Sequence, residues 1–93
     1  KSIWMSYSLK LMPKALKDFQ KLDGSVKNEF KKILRKRLQN PAIEKHRLHG
    51  DYKGHFKIKL KSSPYRLIYR MLNDELVVIV VEVGRRDKIY KKK

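Results

Sequence analysis

The chain has 93 residues, enough for one domain around a single core and too few for two. Lysine and arginine number 25 against 9 acidic residues, a formal net charge of +16, while 41% of the residues are apolar and 10% aromatic. The apolar share supports a folded core, and the charge points to a polyanionic partner: nucleic acid, an anionic membrane surface or an acidic protein. The lack of cysteine excludes disulfides, thiolate catalysis and cysteine-ligated zinc, and a core built without staples suits a reducing cytoplasm. No apolar run approaches the roughly 20 residues needed to cross a bilayer, which excludes a membrane-spanning role. Residues 1–4 precede Met5, lack the apolar region of a signal peptide and read as an N-terminal extension, leaving 5–93 as the single domain.

Residues 6–11 alternate Tyr7, Leu9 and Leu11 with Ser6, Ser8 and Lys10, the period of a half-buried strand. Pro13 suits the first turn of a helix, and Ala15, Leu16, Phe19 and Leu22 then fall at helical spacing until Asp23-Gly24 ends the segment. Ser25 is a candidate N-cap for a second helix with Val26, Phe30, Ile33, Leu34 and Leu38 on one stripe, stopped by Asn40-Pro41. Two helices joined by one glycine turn predict an antiparallel hairpin.

Residues 42–54 hold two glycines and no sustained period, and read as a loop with room for a short helical turn. Period two returns with Phe56, Ile58 and Leu60 on one side and Lys57, Lys59 and Lys61 on the other. Residues 65–72 predict a further strand, Asn73-Asp74 a tight turn, and residues 75–83 a strand apolar on both faces except at Glu82, which belongs mid-sheet and ends at Gly84. The expected fold is α+β, in the order β-α-α-β-β-β, with a helical hairpin on one side of a mostly antiparallel four-stranded sheet.

A glycine-rich phosphate loop, GxSxG, HExxH and cysteine are all missing. His46, His49 and His55 lack a nearby pair of acidic ligands, and loop residues in solvent or on phosphate are the better reading than a metal site. The nine acids are scattered, which disfavours glycosidase and metal-dependent nuclease chemistry. Cations are concentrated on the sheet and tail, as Lys57, Lys59, Lys61, Arg66, Arg70, Arg85, Arg86 and Lys88, with Tyr65, Tyr69 and Tyr90 interleaved. Cations with aromatics grip single-stranded RNA, by charge at the phosphates and stacking at the bases. A lysine shield along a sheet edge accounts for the same face equally well.

Residues 56–69, FKIKLKSSPYRLIY, resemble the central strand pair of the RelE toxins, and the likeness extends to VEVGRR at 81–86, NPAIE at 40–44 and helix residues 15–17 and 21–22. It implies a ribonuclease of a bacterial toxin–antitoxin pair that cuts mRNA in the A site of the 70S ribosome and is silenced by a RelB-like antitoxin. The family's catalytic roles would fall on Lys57, Lys59, Arg66, Arg86 and Tyr90, the last at a shorter spacing from Gly84 than in familiar members. Lys61, Arg70, Arg85 and Lys88, with Arg47 and Lys53 of the loop, are the wider candidate RNA-binding surface.

Cleavage without metal or cofactor requires the RNA 2′-OH to attack its own phosphorus, so the protein must take one proton and stabilise added negative charge. Neighbouring cations disfavour protonation of a lysine, and Lys59 is the assigned base, with Lys57 exchangeable for it. Arg66 and Arg86 would clamp the phosphate oxygens, and Tyr90 would orient the base or nucleotide. Two rivals stand beside this: a ParE-like toxin that shares the fold and poisons DNA gyrase, and a non-catalytic RNA- or ribosome-binding module. The antitoxin is expected to lay an acidic, amphipathic peptide over the basic face or a helix groove.

Overall fold

The computed structural model describes residues 7–61, 63–72 and 77–85. Within them the chain runs β1 (Ser8–Leu11), α1 (Pro13–Gln20), α2 (Gly24–Arg37), β2 (His55–Lys59), β3 (Tyr65–Leu72) and β4 (Val77–Arg85). Single 3₁₀ turns at Glu44–His46 and Gly50–Tyr52 lie in the loop between α2 and β2. The sheet order is β1-β4-β3-β2, with β1 parallel to β4 and the other pairs antiparallel. This is the expected α+β arrangement, and β4, the strand apolar on both faces, lies between β1 and β3.

One side of the sheet is covered by the helices. Ala15 and Phe19 of α1 and Phe30 and Leu34 of α2 pack with Phe56, Ile58, Leu67, Tyr69, Val78, Val80 and Val83. The Phe19 and Phe30 rings sit 6.3 Å apart, and Phe56 stacks on Tyr69 at 5.7 Å and 15°. Along β4 the register steps from Ile68 opposite Glu82 to Tyr69 opposite Val80, so Val81 is an extra residue in the ladder. This bulge reverses the alternation: Val78, Val80 and Val83 all face the helices, and Glu82 and Gly84 are turned to the open side.

Arg37, at the end of α2, is buried. Its Nη1 donates to the Lys57 carbonyl and to the Tyr69 hydroxyl, each at 3.0 Å, and that hydroxyl donates to the Pro41 carbonyl at 2.8 Å. Burial pushes the Tyr69 hydroxyl above its ordinary pKa, against the opposing pull of the Arg37 hydrogen bond and charge, and so holds it as a proton donor.

Several expectations are corrected. The first residue of α2 is Gly24, with Asp23 at the N-cap, so Ser25 lies inside the helix; Lys27 already donates to the Asp23 carbonyl at 2.9 Å. Leu16, expected on the buried stripe of α1, is 42% exposed, because Ala15 and Phe19 alone bear on the sheet. β2 ends at Lys59, so Lys61 sits past the strand in the bend that leads to β3. Gly84 does not end β4, which continues through Arg85 opposite Tyr65. Tyr65 and Tyr69 face the helices and are not interleaved with the cations. The turn at Asn73-Asp74 lies outside the described residues, as do residues 1–4.

Replacing Tyr69 by Phe keeps the stacked ring but deprives Arg37 of one acceptor and Pro41 of its donor. Tyr69→Phe is expected to cost about 1–3 kcal/mol, seen as a lower urea midpoint at unchanged m-value.

Candidate active site

Residues directly opposite one another in a ladder project from the same face. Three rows therefore cross the side of the sheet that the helices leave open. Lys59 faces Arg66, which faces Gly84; Lys57 faces Ile68, which faces Glu82; His55 faces Arg70, which faces Ile79. The structure thus brings together Lys57, Lys59 and Arg66, with Arg70 four residues further along β3. Lys59 is exposed, and Lys57 and Arg66 are half-buried. Gly84 places no side chain opposite Arg66 on β4. Like charges directly opposed, as Lys59 and Arg66 are, cost a sheet some tenths of a kcal/mol up to about 1, a cost that an anion seated between them removes.

The other candidates lie elsewhere. Arg85 is turned to the helix side, where with Lys14, Asp18 and Lys21 it lines a cavity of about 510 Å³. Arg47 lies over the Phe56 ring at 5.0 Å and its Nε donates to Glu44 at 3.0 Å, so it braces the loop. Lys53 is exposed on that loop, and Lys61 is exposed beyond β2. Arg86, Lys88 and Tyr90 lie outside the described residues. Among the described residues no three His, Cys, Asp or Glu side chains come together to hold a metal ion, and no helix is long and apolar enough to cross a membrane.

The loop before β2 wraps the site. Arg47 bridges to Phe56, and Leu48 N–H donates to the His55 carbonyl at 2.9 Å, which extends the sheet past its β2 edge. His46 follows beside Lys57. Burial lowers the His46 pKa, and the charges of Arg37, Lys45 and Lys57 push it the same way, so the ring is neutral at pH 7. On the far side of the loop the Tyr52 hydroxyl donates to Glu82 Oε1 at 3.0 Å, and its ring meets His55 edge-on at 5.9 Å. Tyr52 and Glu82 were absent from the candidates read in the sequence. Glu82 carried a signal, as the polar residue in an apolar strand; Tyr52, in an aperiodic loop, carried none.

A small basic α+β domain with lysines and arginines paired across an open sheet face is of the class that handles phosphodiesters. The comparisons with known proteins narrow it. The family profile "ParE toxin of type II toxin-antitoxin system, parDE" matches residues 9–90. The mRNA interferase toxin RelE of Escherichia coli K12 is 40% identical over 84 residues, 90% of this chain and 87% of that protein. The crystal structure of the isolated E. coli RelE toxin superposes with a TM-score of 0.82 at 39% identity, covering 91% of this chain and 92% of that one. The intact E. coli RelBE toxin–antitoxin complex gives 0.82 at 40% identity, over 86% and 96%. The chain belongs to the RelE/ParE family of type II toxins.

Because the folded state disfavours protonated His46, it binds fewer protons there than the unfolded chain. The stability this contributes is present above the unfolded pKa of about 6.5 and is lost as pH falls through the lower folded value. Melting temperature is expected to drop below pH 6.5, with a shallower acid slope in His46→Asn; identical slopes would remove His46 as the cause.

Proposed function

We propose that this protein is the toxin of a toxin–antitoxin pair, an endoribonuclease that cleaves mRNA in the ribosomal A site and so stops translation. Its domain runs over residues 5–93, it acts in the cytoplasm, and a RelB-like antitoxin with an acidic, amphipathic segment silences it. The observation that carries the reading is the Lys59–Arg66 pair on the open face beside Gly84, with Lys57 next along β2, in a chain 40% identical to an mRNA interferase. The crystal structure of the related RelBE complex supports the antitoxin as partner.

The chemistry needs no metal or cofactor. The 2′-oxygen attacks the adjacent phosphorus, its proton passes to a base, the bond to the 5′-oxygen breaks as that oxygen takes up a proton from solvent, and the products are a 2′,3′-cyclic phosphate and a 5′-hydroxyl end. Lys59 or Lys57 takes the proton. Arg66, with Arg86 from the tail, holds the nonbridging oxygens and offsets the charge that develops on them; an arginine fork suits this because it stays charged and binds two oxygens at once. Tyr90 orients the base or the nucleotide. Arg70, Lys61, Lys53, Arg85 and Lys88 contribute longer-range attraction for RNA phosphates, which weakens with salt.

The test is cleavage of a defined messenger on programmed ribosomes. The protein is expected to cut in the A site only, and Lys59→Ala and Arg66→Ala each to slow cleavage by about 100-fold or more, the usual size for one transition-state contact. Lys59 is exposed, so the melting temperature of Lys59→Ala should stay near that of the unsubstituted protein; Arg66 is half-buried, so its variant is compared at a temperature where both proteins are folded. Intact messenger would overturn the nuclease reading and favour poisoning of gyrase by a toxin of the ParE kind.

A further inference from the structure

Glu82 is the one acidic residue among the described strand residues on the open face, which otherwise carries Lys10, Lys57, Lys59, Arg66 and Arg70. A carboxylate there repels RNA phosphate and works against the surface around it. The bulge at Val81 is what turns it outward. Glu82 accepts a hydrogen bond from Tyr52 at 3.0 Å, a residue 30 positions away in sequence.

Tyr52 comes from the 3₁₀ turn before β2, and its ring meets His55, the first residue of β2, while its hydroxyl reaches Glu82 on β4. A side chain anchored at both places crosses over β3. Ile68, the β3 residue in the Lys57–Glu82 row, is 0% exposed although the helices pack on the other side of the sheet, as expected if Tyr52 covers it. The strap therefore covers the middle of the open face, with the half-buried Tyr52 one row away from Lys59, Arg66 and Gly84.

A fixed aromatic ring beside phosphate-binding cations is the arrangement by which proteins seat single-stranded RNA, with base on ring and phosphate on charge. We infer that Tyr52 is a positioning residue that stacks against the nucleobase next to the cleaved phosphate, held in place by Glu82 and His55. This rests on the nuclease reading above. Tyr52 then sets where the RNA lies over Lys59 and Arg66, and contributes to which nucleotides are accepted.

The experiment is single-turnover cleavage on programmed ribosomes over a panel of A-site codons, read as saturating rate and half-saturating toxin concentration. Tyr52→Ala is expected to lower the saturating rate roughly tenfold or more, the size expected when the reacting phosphate is misplaced over its catalytic groups. It should also flatten the differences between codons while leaving the half-saturating concentration unchanged. Tyr52→Trp, which keeps an aromatic ring, should restore the rate. If Tyr52→Ala does not fold, Tyr52→Leu, which keeps bulk without a ring, replaces it. A folded non-aromatic variant with unchanged rate and codon preference would overturn the inference and leave Tyr52 a strap. No cleavage by the unsubstituted protein would overturn the nuclease reading, and this inference with it.

Discussion

The geometry of the site depends on one irregularity, the extra residue at Val81 in β4. Strict alternation would put Glu82 on the same side as Val78 and Val80, against the helices, where an unpaired carboxylate is costly. It would also send Val83 into solvent. The bulge resolves both conflicts at once: Val83 joins the core, and Glu82 and Gly84 come out beside Ile68 and Arg66. A one-residue change of register thus decides which residues flank the arginine on the open face.

The second constraint is the buried Arg37. A guanidinium taken out of water is tolerated only where its donors are met, and Arg37 meets the Tyr69 hydroxyl and the Lys57 carbonyl. The second of these bonds grips the backbone of β2 at one of the two lysines that share the open face. α2 is therefore tied to the strand that carries Lys57 and Lys59 by a directional contact as well as by apolar packing. A site made of long, flexible cationic side chains gains from this, because the placement of their Cα atoms is the part of the geometry that the fold can hold rigid.

The parts legible in the sequence are those set by local periodicity. Residues 56–60 alternate apolar and cationic, and the structure gives them that pleat; the apolar run of β4 marked it as a central strand. The helical hairpin followed from the spacing of Phe19, Phe30 and Leu34. What could not be read depends on contacts between distant residues. The bulge has no glycine or proline to mark it, Arg37 resembles the other cations of α2 until Tyr69 is placed beside it, and Tyr52 meets Glu82 across three strands. Arg85 looked like part of the cationic face because the bulge, which sends it to the other side, was invisible.

The charge distribution carries a further consequence. A domain with a net charge of +16 strains against itself, yet Lys57, Lys59 and Arg66 are gathered on an open face where neutralising acids would be easy to supply. Glu82 is next to that cluster, but its Oε1 is engaged by Tyr52 and the bulge sets it one row away from the Lys59–Arg66 pair. Glu82 is the one acidic residue among the described strand residues of this face, and a phosphate seated between Lys59 and Arg66 lowers the repulsion between them. An acidic segment laid over this face would relieve the same repulsion, so an inhibitor of that chemistry would need no separate docking site to compete with RNA.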